Sequence, residues 1–307
     1  MSHHDDGRSR FDLQAHSTHS DGSLSPRGVV ARAREDGVEL LALTDHDTVS
    51  GVAQALTAGQ IYGVSVVPGV EISAIHGQHE DLHILGYGIE HRSPELLDAL
   101  NCYRRDRAAR AHRMFDALKE VGLAVDERVL DRQIGSGGSV GRPHLAQAVI
   151  AHPANAERLL AEELERPEHV LQAYLLPGRP AYRGRTIPTA RDAIERIHSA
   201  GGVAVWAHPF WDIEDPAEVL ETLEAFVGFG LDGVESFYIT HDRTQVAMLD
   251  DACRAFDLLS TGSSDFHGPD HAIFSAFCRH ALHDREPNLG AIPSFVAAHP
   301  VIQKGQR

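Results

Sequence analysis

Residues 39–73 read ELLALTDHDTVSGVAQALTAGQIYGVSVVPGVEIS, and this stretch decides the fold. A short apolar run ends in Asp45, His46 and Asp47, a helical pattern follows, and a second apolar run ends at Glu71. Strand, helix and strand joined by short polar loops make a βαβ unit, which builds parallel sheet. The same rhythm precedes it in FDLQAHS and PRGVVARARED. It returns later with a helix at 189–200, then GGVAVWAHP, a helix at 216–229, DGVESFY, a helix at 243–256 and DLLSTGSSDFHG. Residues 80–89 (EDLHILGYGI) predict one more strand, and 94–122 predict a long Arg- and Ala-rich helix. From about 123 to 180 the rhythm breaks. The sequence therefore predicts an α/β chain whose barrel-like domain spans 10–94 and 181–285, with a helical insertion over 95–180 and a peripheral segment from 286 to 307.

Composition narrows the function. The 28 basic and 44 acidic residues give a formal charge of −16, which disfavours long nucleic acid and anionic membrane as partners. No apolar run reaches membrane-spanning length, and MSHHDDGRSR has the make-up of neither a signal nor a transit peptide. Cys102, Cys253 and Cys278 are odd in number and lack CxxC spacing, so they read as structural thiols of a reducing compartment. A cytoplasmic location is expected.

The 21 histidines matter by position. Ligand-type side chains fall at the ends of predicted strands, where parallel barrels build their active sites. They are His16 and Asp21; Asp45, His46 and Asp47; Glu71; Asp81 and His83; His208; and Asp265 with His267. Carboxylates so gathered would repel and raise one another's pKa, a conflict that bound divalent cations resolve. Residues i and i+2 of a strand share a face, so 14 with 16, 81 with 83 and 265 with 267 each project a pair to one side. Imidazole and carboxylate without thiolate favour Mn, Fe, Zn or Mg over a structural zinc site. Glu71 is the candidate bridge between ions. Asp45 and Asp47 point to the opposite strand face from His46, where they would orient ligand histidines.

HEDLH at 79–83 matches the H-E-x-x-H zinc-protease signature, which requires a helix. Here it runs into ILGYGIE with period-two alternation, so a strand is predicted and His79 and Glu80 read as rim residues. The glycines of GSGGSVGR lack the Gly-Lys-Ser/Thr of a nucleotide P-loop and read as an insertion loop.

Eight motifs in order, DLQAHSTHSDGSLSP, LALTDHDTVSG, PGVEIS, DLHILGYG, GRPHLAQ, GGVAVWAHP, GVESFY and GSSDFHG, resemble the PHP (polymerase and histidinol phosphatase) phosphoesterases over residues 12–268. The branch resembled is the stand-alone one with a helical insertion, which includes nucleoside 3′,5′-bisphosphate phosphatases and a short-RNA 5′-exonuclease. The resemblance implies a distorted (β/α) barrel holding two or three divalent metal ions, Mn foremost. It groups His16, Glu71 and Asp265; Glu71, His83 and His208; and Asp21, His46 and His267. The family has a further histidine ligand where this chain has Gln14, a neutral amide that would bind a transition metal more weakly. His208, His267 and Asp265 would carry catalysis, and Arg142, Arg179 and His241 match positions on the substrate side. His19, at odd spacing from His16, reads as a rim residue.

The function expected is hydrolysis of a phosphate ester of a small nucleotide by metal-activated hydroxide. A 5′ to 3′ exonuclease on short RNA is the alternative, with YRRDRAARAHR as a local basic groove. A non-catalytic metal or nucleotide sensor is the third reading, and only Gln14 favours it.

Overall fold

Seven strands follow one another around a single sheet in chain order in the computed structural model, which describes residues 10–126, 128 and 141–296. They are β1 (Phe11–Asp12), β2 (Leu40–Leu43), β3 (Ser65–His76), β4 (His79–Tyr87), β5 (Val203–Trp206), β6 (Gly233–Tyr238) and β7 (Leu259–Ser263). β1, β2 and β3 pair in parallel, with Leu40 opposite Phe11 and Ser65, and β5, β6 and β7 do the same. β4 is the exception, running antiparallel to β5. It follows β3 after a turn of two residues, Gly77 and Gln78, with Gly77 at φ +58°. A connection that short reverses the chain, whereas parallel neighbours need a crossover. Past the strand ends the sheet closes on itself. Leu13 N–H donates to Gly262 O at 3.2 Å, His16 N–H to Phe266 O at 2.8 Å, and Ala15 bridges Phe266 in parallel. The result is a nearly closed, distorted (β/α) barrel.

Alternation along the strands separates two apolar layers. Leu41 and Leu43 of β2 pack outward with Val29, Val30, Ala33, Ala55 and Ala58 of the helices Pro26–Glu35 and Val52–Tyr62. Ala42 turns the other way and joins Leu13, Val67, Leu85, Tyr87 and Val205 inside the barrel. The helices begin where their sequences cap them. Ser25 accepts from Gly28 N–H ahead of Pro26, and Asp242 and Gln245 form a capping box at the start of Arg243–Ala255.

In the final segment, whose described part ends at residue 296, Ile292 is fully buried in the interior layer, with Leu289 and Phe295 partly buried against it, and Asn288 bridges Ser260 of β7.

The chain divides into two compact units. The first takes in the described residues up to Ala74, Asp81–Leu97 and those from Ala190 onward. The second takes in Ile75–Glu80 and the described part of Asp98–Thr189, with its own core of Met114, Phe115, Leu118, Leu145, Val149, Val170 and Leu175. The long helix Pro94–Glu120 starts where the sequence predicts one. Of GSGGSVGR, only Gly141 and Arg142 lie among the described residues. Among those residues no helix is long and apolar enough to cross a membrane.

Candidate metal centre

His16, His46, His208 and Asp265 follow the ends of β1, β2, β5 and β7, whereas Glu71 and His83 lie within β3 and β4, and these side chains converge. Glu71 is fully buried at their middle. Its Oε2 lies 3.1 Å from His16 Nε2 and 3.5 Å from His46 Nδ1, and its Oε1 lies 2.8 Å from His83 Nδ1 and 3.2 Å from His208 Nε2. His16 Nε2 also stands 3.0 Å from Asp265 Oδ1. Asp21 closes the other side, 3.5 Å from His16 Nδ1, His46 Nε2 and His267 Nε2. Ligand atoms fall within 4.8 Å of one another in three sets: His16, Asp21, His46 and His267; His46, Glu71 and His83; and His16, Glu71 and Asp265. His208 adjoins the second through His83, at 3.3 Å between ring nitrogens. Asp81 joins none of the three.

The backbone around these residues is held in unusual conformations. Asp47, His208 and Asp265 are non-glycine residues at φ +51°, +29° and +51°. Asp and His tolerate this region better than most residues, yet three together mark strain stored at a site. Hydrogen bonds hold the loops in place. Asp45 accepts from Ser17 N–H at 2.6 Å, Ser17 Oγ at 2.7 Å and Ser20 Oγ at 2.7 Å. It thereby grips the loop that carries Asp21, and through Ser20 Oγ, 3.4 Å from His16 Nδ1, it also reaches a ligand imidazole. Asp47 accepts from Ser73 N–H at 3.1 Å and its own N–H donates to Glu71 O at 2.8 Å, which fixes the β3 segment bearing Glu71. His267 Nδ1 donates to the Asp265 carbonyl at 2.7 Å, leaving a lone pair on the Nε2 that faces Asp21.

Electrostatics show how poorly the cluster satisfies itself. Burial disfavours the charge on Glu71, but His46 and His83 outweigh it and hold the carboxyl well below its usual range. Burial likewise opposes a charged His208, yet Glu71 raises it to about 9. His46 goes the other way: burial lowers it to about 4. His16 Nε2, His46 Nδ1, Glu71 Oε2, Asp265 Oδ1 and His208 Nδ1 are all buried and make no directed hydrogen bond. Groups of this kind cost free energy unless something else pairs them. Lone pairs of imidazole and carboxylate converging at these spacings fit divalent cations.

Three supporting residues escape the sequence reading. Tyr238 Oη donates to Asp265 Oδ2 at 2.9 Å. Glu235 Oε2 accepts from His208 N–H at 3.0 Å, and burial pushes its carboxyl up to about 8. Asp212 Oδ2 lies 3.8 Å from His208 Nδ1, one helical turn on. The available signal was a glutamate in the otherwise apolar strand GVESFY. Gln14 is buried, with Oε1 accepting from Ser263 Oγ at 3.3 Å. His241 is buried near Tyr238 and Phe210, donates from Nδ1 to Ser236 O at 3.1 Å, and is lowered by burial to about 4. Arg142 opens the helix Arg142–Ala151 and Arg179 lies exposed in a turn, both in the second unit. HEDLH forms the start of β4, which rules out the helical protease site. Glu80 there bonds Tyr182 Oη and Arg185 N–H.

A PHP domain model matches residues 12–172. A 5′-3′ exoribonuclease of Haemophilus influenzae is 32% identical, over 85% of this chain and 90% of its own. A 3′,5′-nucleoside bisphosphate phosphatase of Chromobacterium violaceum is 31% identical, over 84% and 87%. A phosphoribosyl 1,2-cyclic phosphate 1,2-diphosphodiesterase of Eggerthella lenta is 34% identical, over 84% and 94%. The crystal structure of a Bifidobacterium adolescentis protein put forward as a metal-dependent phosphoesterase superposes with a TM-score of 0.71 at 25% identity, covering 93% of this chain and 94% of that one.

Proposed function

The chain belongs to the PHP domain family, and from that premise we propose that it is a metal-dependent phosphoesterase hydrolysing a phosphate ester of a small nucleotide, of the 3′,5′-bisphosphate type. One observation carries the reading: buried ring nitrogens and carboxylate oxygens converge about Glu71 with no hydrogen-bonding partner for several of them. We assign His16, Glu71 and Asp265 to one ion, Glu71, His83 and His208 to a second, and Asp21, His46 and His267 to a third, with Gln14 beside the first. Two or three ions are expected, Mn foremost and Fe, Zn or Mg as alternatives. When bound, such cations supply charge neutralisation for phosphate oxygens and lower the pKa of water.

The chain's own residues do the rest. Asp265, gripped by Tyr238, and His267, fixed by its Nδ1 hydrogen bond, present donor atoms without rotational freedom. His208 is held through its backbone by Glu235. These three, His208, His267 and Asp265, are assigned to the reacting phosphate. Arg142, Arg179 and His241 are assigned to substrate binding, the arginines because guanidinium pairs phosphate in a fork.

The test is release of inorganic phosphate. Purified protein with Mn should liberate it from nucleoside 3′,5′-bisphosphates, and an inert result across a nucleotide panel would sink the assignment. The Haemophilus relative favours a second reading, 5′ to 3′ exonuclease action on short RNA. An enzyme tracking several phosphates binds with a steep salt dependence, while one holding a single nucleotide shows a shallow slope.

A further inference from the structure

Three residues beyond His208, on the short helix Pro209–Asp212, Trp211 is 49% exposed. Its indole is nonetheless seated. The ring lies 5.5 Å from Phe274 at 59° and 6.4 Å from Tyr238 at 75°, centroid to centroid. Both neighbours lead back to the metal centre: Phe274 stands 5.3 Å from His267, and Tyr238 stands 5.2 Å from His208. Phe274 is pinned as well, because its carbonyl accepts from His267 N–H at 2.9 Å and its own N–H donates to His271 Nδ1 at 3.0 Å. Two routes of ring contact therefore connect an open indole to two of the proposed ligands, each route passing through one intervening ring.

We propose that Trp211, backed by Phe274 and Tyr238, is the platform on which the nucleobase of the substrate stacks while its phosphate lies at the metal centre. The inference rests on the nucleotide phosphoesterase reading above and names the residue that selects for a base. A half-exposed indole packed against two further aromatic rings suits a planar ring, and stacking of this kind accepts any base. It supplies affinity without added positive charge, which the protein lacks overall at −16.

The test compares Trp211→Ala and Trp211→Phe with the unaltered protein, on adenosine 3′,5′-bisphosphate and on ribose 5-phosphate, an ester without a base. Base stacking corresponds to about a 5- to 150-fold effect on binding. The preference in kcat/KM for the nucleotide should therefore fall about tenfold or more in Trp211→Ala, chiefly through KM, and be largely retained in Trp211→Phe. Equal losses on both esters would overturn the platform. Binding gives an independent readout. Of the two tryptophans Trp206 is fully buried, so red-edge emission reports Trp211. With Mg present, adenosine 5′-monophosphate should quench that emission and ribose 5-phosphate should not; an unchanged red edge would overturn the inference. If the unaltered protein hydrolyses neither ester, the phosphoesterase reading fails by itself, and the presence or absence of the quench decides the platform.

Discussion

Gln14 is buried beside the cluster with one amide atom bonded and the other, Nε2, without a hydrogen-bond partner. A half-satisfied buried amide costs roughly 1–3 kcal/mol, and rotating it exchanges oxygen for nitrogen at both ends. Since a serine hydroxyl can donate or accept, Ser263 suits either orientation, and one of them offers an oxygen where an imidazole would offer nitrogen. Gln14→His should tighten one Mn equivalent by about tenfold or more. Calorimetric titration showing no change would mean that position 14 stands outside the ligand set. Tyr238→Phe removes only the hydroxyl that steadies Asp265, and loss of such an outer partner typically costs about 10–100-fold in metal affinity or activity. Metal content after dialysis, beside rate, reads this directly; full retention of both would show that Asp265 needs no such partner. The ligand-type residues were legible because strand periodicity places them. Tyr238, Glu235 and Asp212 were not, because their roles depend on which strands become neighbours, and one sequence does not state that.

At the scale of elements, the loop from Ser17 to Gly22 shows how local chemistry positions a ligand. Gly22 N–H donates to Ser17 O at 3.0 Å, closing the turn over Asp45. A methyl group at Gly22 would sit 2.2 Å from His16 O and 2.4 Å from His16 C. Both are backbone atoms of a buried segment, so the loop has to move and take Asp21 with it. Gly22→Ala should cost about 1–3 kcal/mol of stability, as overpacking does, and should weaken the Asp21, His46 and His267 position more than the others. Thermal unfolding and metal stoichiometry together check it. A variant with an unchanged Tm and full metal content would refute the close packing. Element type was readable for HEDLH, since alternation rather than a motif decides whether five residues are strand or helix. What the sequence did not state was the burial of Ile292, because the few apolar residues around it give no periodicity.

The whole molecule carries a pH response that its net charge alone would not give. His280 is buried against Phe11, at 5.2 Å between rings, and burial lowers it to about 3. Its folded pKa thus lies below the unfolded value near 6.5, so the folded form keeps it neutral. Above pH 6.5 neither state binds the proton and the stability is fully present. As pH falls below 6.5 only the unfolded chain takes it up, and stability declines toward the folded pKa at about 1.4 kcal/mol per pH unit. His241, lowered to about 4, acts in the same direction. Two effects oppose them: acidification relieves the self-repulsion of the −16 charge, and the histidines that carboxylates raise, such as His208, favour the folded metal-free chain at low pH. The net slope is therefore a poor test, whereas a difference between two proteins cancels the shared part. Urea unfolding of the unaltered protein and of His280→Phe at pH 6.5 and pH 5.0 should show the stability gap moving in favour of the variant by about 1.6 kcal/mol, since the unfolded histidine is already half protonated at pH 6.5. A gap that does not change with pH would mean that His280 is protonated equally in both states, which a side chain so deeply buried should not allow.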